Sequence, residues 1–352
     1  MQQQEFRRLA AELKNNLARL MDKRSTWESH WQECADFMQP RKAEINKERQ
    51  RGDKRNIQIF DATAIHALEL LAASLHGMLT SSANRWFSMR YKESLLNESD
   101  EAKEWLEDAI DKMYLAFARS NFQQEVFEVY HDLICFGTAC LMVEEDEDDI
   151  IRFSSRHIKE FYVQENKKGL VDTIYRRFKM PVQAAIDKFG FENFSRSTQN
   201  LFKKEPFEEI ELVHVVRPRT IYNERKEDKK NMPFQSIYFE YGSGHIISIG
   251  GFLENPYVIP RYLKASTEQY GRSPGMNALP DVKVLNKMVE NSLKAAAKQI
   301  DPPLLIPDDG MLAPIRMSPG SINYYRSGSR DRIEPLNINA NTSITINNEN
   351  QR

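Results

Sequence analysis

Cysteine is scarce in this 352-residue sequence. The three cysteines, Cys34, Cys135 and Cys140, sit among apolar neighbours, and the C-x4-C spacing of the last two matches no common zinc or redox motif. They read as buried thiols of a reducing compartment. Long apolar runs are missing too. No stretch of about eighteen apolar residues occurs, and Met1 is followed by Gln2, Gln3, Gln4 and Glu5, so neither a transmembrane anchor nor a secretory leader is expected. Nor does one sign of charge dominate. Lys plus Arg total 49 against 51 for Asp plus Glu, a net of −2, so bulk charge draws no polyanion, and contact with nucleic acid depends on where basic residues are placed.

The motifs of several enzyme classes are absent as well. There is no G-x-x-x-x-G-K-S/T loop, so autonomous ATP hydrolysis is not expected, and neither HExxH nor GxSxG occurs. The seven histidines never pair at i and i+3 or i+4, which excludes a helical two-histidine metal site and leaves only sites assembled from distant segments. What the chain does have is 41% hydrophobic and 10% aromatic residues with 28% charged, enough for a sizeable core. A soluble, multi-lobed α+β protein is expected.

Apolar residues at Leu9, Leu13, Leu17, Leu20, Trp27, Trp31, Ala35 and Met38 predict one long helix ending at Pro40, about 50 Å of rod that needs another long surface to lie against. Ser25 and Thr26 mark a break or cap within it. Residues 41–56 are basic. Such runs are usually solvated, giving a mobile loop, and the alternative is an arm that contacts phosphate. Asp61 is placed as the N-cap of a helix with Ile65, Leu68, Ala72, Leu75 and Leu79 on its apolar face, and Trp86 and Phe87 open an extended segment. Ser99 caps a helix through Trp105 and Met113, and another carries Phe122, Val126, Val129, Leu133 and Phe136.

Gly137 and Cys140 bracket a switch to strand. LMVEEDEDDIIRFSS is strand-like, and two β-rich runs joined at 166–169 form a hairpin. Pro181 opens a short helix, and a polar stretch leads to Pro206. IELVHVV, FQSIYFEYG and HIISIG then predict an antiparallel meander forming its own module. Residues 281–300 predict a last helix, stopped by Pro302 and Pro303, and the chain beyond lacks a core-forming pattern.

Two charged features carry candidate chemistry. Glu144 to Asp149 are six consecutive carboxylates that could hold a hard cation for a nuclease, but neighbours on a strand point to opposite faces and cannot converge on one ion. Lys283, Lys287, Lys294 and Lys298 lie near one face of the last helix, opposite Val284, Leu285, Met288 and Val289, with Glu290 the one acid among them. Such a face is commonly just solvated. If copies of the helix lined a channel, the lysines would form rings of positive charge with sequence-independent, salt-sensitive contact to DNA.

Four segments then resemble a known family: RLMDKRSTWESHWQECADFMQPR, FDATAIHALELLAASLHGMLTSSANRWFSM, EVYHDLICFGTACLMVEED and, most specifically, YGRSPGMNALPDVKVLNKMVENSLKAAAKQIDPPLLIPDDG. In order and spacing, from about residue 15 to about residue 325, they resemble the portal, or head-to-tail connector, proteins of short-tailed bacteriophages. The resemblance implies a virion protein without catalysis or cofactor, assembled as a ring, usually a dodecamer, at one capsid vertex. Double-stranded DNA passes through it, non-specifically bound, during packaging and ejection. The implied partners are further copies, the terminase large subunit, tail adaptor or head-completion proteins, and capsid and scaffolding proteins, with no membrane. By position it implies a wing over 1–180, stem helices over 181–205 and 273–300, a clip over 206–260 and an irregular segment over 301–352. Family members continue past the position of Arg352 to build a crown. The rivals are a metal-dependent nuclease using residues 144–149 and a monomeric DNA-binding module driven by residues 41–56.

Overall fold

The computed structural model describes residues 2–48, 52–55, 58–223 and 228–301, with two short strands beyond. In chain order the elements are α1 (Gln2–Met38), α2 (Thr63–Leu79), α3 (Asp100–Arg119), α4 (Phe122–Phe136), β1 (Leu141–Asp146), β2 (Ile150–Ser155), β3 (Phe161–Glu165) and β4 (Val171–Pro181). They continue with α5 (Val182–Phe189), α6 (Arg196–Lys204), β5 (Glu209–Pro218), β6 (Phe234–Glu240), β7 (Ile246–Phe252), β8 (Tyr257–Val258), α7 (Pro274–Ile300), β9 (Leu304–Leu305) and β10 (Glu334–Pro335). The mixture is α+β. The chain divides into two compact units, Met1–Gln58 with Thr63–Leu279, and Ile59–Ala62 with Pro280–Arg352.

In the first unit α1 finds the long surface its length demands. Leu13 and Leu17, both fully buried, lie on Tyr162, Tyr175, Val213, Val215, Ile237 and Phe239 of one sheet face, while Trp31, Cys34, Ala35 and Met38 join α4 in a second core. One helix thus serves two cores, because its apolar stripe runs unbroken for most of its length. Ser25 and Thr26 interrupt nothing: Ser25 Oγ donates to Asp22 O at 2.8 Å and the helix continues.

The meander is not a module of its own. β5, β6 and β7 continue an antiparallel sheet begun by β3 and β4, in the order β3-β4-β5-β6-β7. β4 and β5 pair from Ile174–Val216 to Pro181–Glu209. The sequence pattern separates them because α5 and α6 intervene, yet the chain returns to the same sheet edge. Strand alternation sends Val213 and Val215 toward α1, while Leu212 packs with Val182, Ala185 and Ile186 of α5 on the other face. A second antiparallel sheet has the order β2-β1-β8.

Smaller differences have local causes. The polar stretch before Pro206 contains α6, whose cap is Ser195, with Oγ accepting from Thr198 N. Asp61 is not a cap: α2 starts at Thr63, and the amides of Phe60 and Asp61 donate to Asn286 Oδ1 at 2.7 and 3.2 Å within the second unit. The last helix begins at Pro274, seven residues before the expected start at 281, since Ser273 Oγ accepts from Met276 N at 2.9 Å and caps it. Pro302 and Pro303 lie outside the described residues, as does the expected irregular segment apart from Asp301 and the antiparallel β9–β10 pair.

Candidate nucleic-acid and assembly surfaces

Lys283, Lys287, Lys294 and Lys298 all lie on α7, within about 60° of arc at 100° per residue. Lys283 is half-buried and the other three are exposed. Glu290 falls in the middle of the set and pairs with Lys287 Nζ at 2.8 Å and with Lys294 Nζ at 2.5 Å. Hydrogen bonds from those two lysines hold its carboxyl below the usual range, so it stays ionised. The face therefore carries four cations partly offset by one anion. The apolar stripe expected opposite it is only partly covered, with Val284 and Leu293 exposed.

The basic run 41–56 is, where described, engaged by acids of its own chain. Arg41 pairs with Glu128 at 2.8 Å, Lys42 with Asp132 at 2.6 Å, Lys47 with Asp36 at 3.0 Å, and Arg55 with Glu44. Asp132 is buried, and desolvation pushes its carboxyl up against the pull of Lys42. Burial also opposes ionisation of Glu128, yet Arg41 and Lys42 hold it below its usual range. Residues 40–48 are thus docked on α1 and α4. For these residues the mobile-loop expectation is corrected.

The carboxylate run is split by geometry. Residues through Asp146 belong to β1, and 147–149 form the turn into β2. Asp146 Oδ1 accepts from the amides of Asp148 and Asp149 at 2.9 and 3.4 Å, so its carboxylate builds the turn. Glu144 faces Arg156 and Lys188, each at 3.8 Å. Among the described residues no group of three metal-ligating side chains gathers anywhere. The three cysteines are buried and outside any disulfide, and burial pushes the thiols of Cys135 and Cys140 up.

The segments that carry the family resemblance meet in one place. Trp31 Nε1 donates to Phe136 O at 3.0 Å, and its ring meets Tyr270 edge-on at 5.1 Å. Gly271 N donates to Thr138 Oγ1 at 2.8 Å, and Ser273 Oγ donates to Cys135 O at 2.9 Å. Gly275 lies so close to Ile134 O and Met38 Sδ that a Cβ would fall 2.8 and 3.0 Å from them. In the sequence Gly137 reads as a strand switch and 271–275 only precede the last helix, and nothing there reveals that the two are neighbours. Arg24 is equally hidden. It is 2% exposed, and its guanidinium donates to the carbonyls of Ile158, Phe161 and Lys159 and lies 3.7 Å over the Tyr162 ring. A lone basic residue inside an apolar stripe was the available signal.

Apolar side chains also remain on the outside. Leu70 and Met78 of α2 and Trp105 and Leu115 of α3 are more than half exposed, whereas the face expected of α2 is buried at Leu68 and Ala72, half-buried at Ile65 and Leu75 and exposed at Leu79. Among the described residues no helix is long and apolar enough to cross a membrane.

A packed junction between remote segments, with apolar helix faces left outside, is the make-up of a protein that holds shape and meets other surfaces. The chain belongs to the family of bacteriophage head to tail connecting proteins, whose family model matches residues 10–351. Similar curated proteins include the probable portal protein of Bordetella phage BPP-1, 32% identical over 309 residues that cover 87% of this chain and 56% of that protein. The portal protein of Salmonella phage epsilon15 is 31% identical over 338 residues, covering 94% of this chain and 61% of that protein. The chain therefore spans less than two thirds of the length of these relatives.

Proposed function

We propose that the chain acts as a portal subunit, one of several copies closed into a ring at a capsid vertex, through which double-stranded DNA is packaged and ejected. The observation that carries this reading is the family match over 10–351 together with relatives named portal proteins. In this reading the subunit makes and breaks no bonds, and ATP is hydrolysed by a terminase docked on the ring and later replaced by tail adaptor proteins. The exposed apolar residues of α2 and α3 support contact with neighbouring copies or with capsid and scaffolding proteins.

A wing over 1–180, stem helices over 181–205 and 273–300 and a clip over 206–260 belong to the same proposal. The sheet running from β3 to β7 ties the wing-like and clip-like parts together. Lys283, Lys287, Lys294 and Lys298 are the channel-facing candidates. Weak, distributed charge suits a channel, because tight base-specific contact would stall a moving duplex. The test is the mass and shape of a chain extended to the relatives' length, by mass photometry and cryo-electron microscopy. A closed ring with an axial hole is expected, and a monomer at high concentration overturns the reading.

A further inference from the structure

Between the two sheets of the first unit lies a small cavity of about 90 Å³. Its walls come from β1, the end of β2, β4, α5 and β6. Three cationic side chains line it, Arg156, Arg176 and Lys188, with Glu144, Met142 and Tyr238 among the remaining lining residues. It is separate from the lysine face of α7 and from the basic run, and the portal reading makes no use of it.

The cations are under-neutralised for their degree of burial. Arg176, whose side chain is 12% exposed, pairs with Glu160 at 3.0 Å. Glu144 serves both remaining cations, at 3.8 Å from Arg156 and 3.8 Å from Lys188. Both distances exceed hydrogen-bond reach, about 3.2 Å for N–H···O. Besides that longer pairing, Arg156, 22% exposed, meets the thioether of Met142 at 3.7 Å, and its Nε is buried with no acceptor among the described residues. Three cations against Glu144 and Glu160 leave one positive charge in excess. A buried guanidinium N–H without an acceptor is costly and rare.

Aromatic rings flank two of the cations, Phe178 at 4.1 Å from Arg176 and Phe189 at 5.7 Å from Lys188, but they offer no acceptor to Arg156 Nε. Tyr238 is covered on one side by the His214 ring, stacked at 3.8 Å, and both nitrogens of His214 are already engaged, with Tyr257 OH at 2.7 Å and Ser236 Oγ at 2.9 Å. A water could accept from Arg156 Nε but would leave the charge uncompensated. An oxyanion does both, and guanidinium groups match its geometry. The volume exceeds what one water needs, about 10–15 Å³, several-fold.

We propose that this cavity is a binding site for one small tetrahedral oxyanion, phosphate or sulfate, held by Arg156, Arg176 and Lys188. Glu144 limits the net charge, so the site takes a single anion. The anion joins the residue after β2 to β4 and α5 and therefore braces the two sheets against each other.

Thermal unfolding of the whole chain in phosphate, against chloride of equal ionic strength, tests the assignment, with ³¹P NMR reporting bound phosphate. Phosphate at tenfold its Kd should raise Tm by roughly 2–4 °C, and the rise should grow with the logarithm of its concentration above Kd. The rise should vanish in Arg156→Gln and in Lys188→Met. Should Arg156→Gln fail to fold, Lys188→Met carries the comparison, since that side chain is 49% exposed. No rise beyond chloride, or a rise retained in the folded variants, overturns the site. A short DNA duplex is the competing source of phosphate. If it displaces the ³¹P signal and the variants lose duplex binding, the ligand is polymer phosphate and the free-ion assignment fails; no displacement supports it.

Discussion

Gly137 and Gly271 cross backbone to backbone: a Cβ built on either would fall well inside 3.0 Å of the other's carbonyl oxygen. Gly137 also ends α4 in the left-handed region, at φ 76°, so it has two independent reasons to lack a side chain. Gly137→Ala is expected to lose at least about 2–4 kcal/mol, combining strain at positive φ with the clash. Gly271→Ala, free of the φ penalty, should lose less. Urea denaturation of each variant measures the difference.

Arg24 supplies donors to carbonyls between β2 and β3 that would otherwise stay unfilled. Arg24→Met should cost roughly 2–4 kcal/mol, because the carbonyls of Ile158 and Phe161 lose their side-chain donor. Arg24→Lys should recover only part, since one ammonium cannot reach those carbonyls, Glu28 and the Tyr162 face together. Equal stability of Arg24→Met and the parent chain would refute the clamp.

His157 gives the fold an acid-sensitive point. Its Nε2–H donates to Lys42 O at 2.9 Å and its Nδ1 accepts from Lys159 N at 3.1 Å, an arrangement that needs the neutral ring. Burial, with Lys42, Lys159 and Arg24 nearby, brings its pKa down to about 3 from 6.5. The unfolded chain binds the proton first, so this contribution is complete above about pH 6.5 and declines as pH falls toward about 3. Part of the ring meets solvent, so the loss is a fraction of the full displacement, about 1–3 kcal/mol. Urea midpoints between about pH 7 and pH 4 should fall, and His157→Gln should flatten that part of the curve.

Ile150 opens β2 with φ 71°, a conformation that costs a β-branched residue about 1–2 kcal/mol. Its side chain is exposed, so little packing is at stake. Ile150→Asn should therefore raise stability by about 1 kcal/mol, read as a higher denaturation midpoint.

If the proposed portal reading holds, replacing Lys283, Lys287, Lys294 and Lys298 of α7 with Gln should weaken duplex binding by the ring without changing sequence preference. The salt dependence should flatten by up to about 0.9 in log–log slope for each phosphate no longer neutralised. Glu290→Gln should act in the opposite sense by releasing Lys287 and Lys294. Fluorescence anisotropy over a salt series checks both, and unchanged affinity in the four-lysine variant would remove these residues from the channel.

Local periodicity made much of the helical frame legible. The stripe from Leu9 to Met38 predicted α1, and Gly137 predicted the end of α4. The β4–β5 pairing stayed hidden because it joins strands separated by α5 and α6, and no local pattern encodes which sheet edge a returning strand will meet. Pairing partners were likewise invisible. The lysine face was legible as a pattern, but the bridging of Lys287 and Lys294 by Glu290 depends on side-chain reach. The carboxylate run was legible as side chains that cannot converge on one ion, but not the turn at 147–149 that assigns Asp146 to backbone amides, nor the two cations that face Glu144.

The way α1 is held sets a timetable for biosynthesis. Arg24 waits for Phe161, 137 residues later, and Trp31 waits for Phe136, 105 residues later, with Tyr270 later still. At ribosomal speeds of about 5–20 residues per second, the first of these gaps alone lasts roughly 7–27 s. Through that interval a nascent rod displays Leu13, Leu17, Trp27 and Trp31 with nothing to cover them. A message cut short before codon 270 would release a helix whose apolar stripe lacks part of its cover.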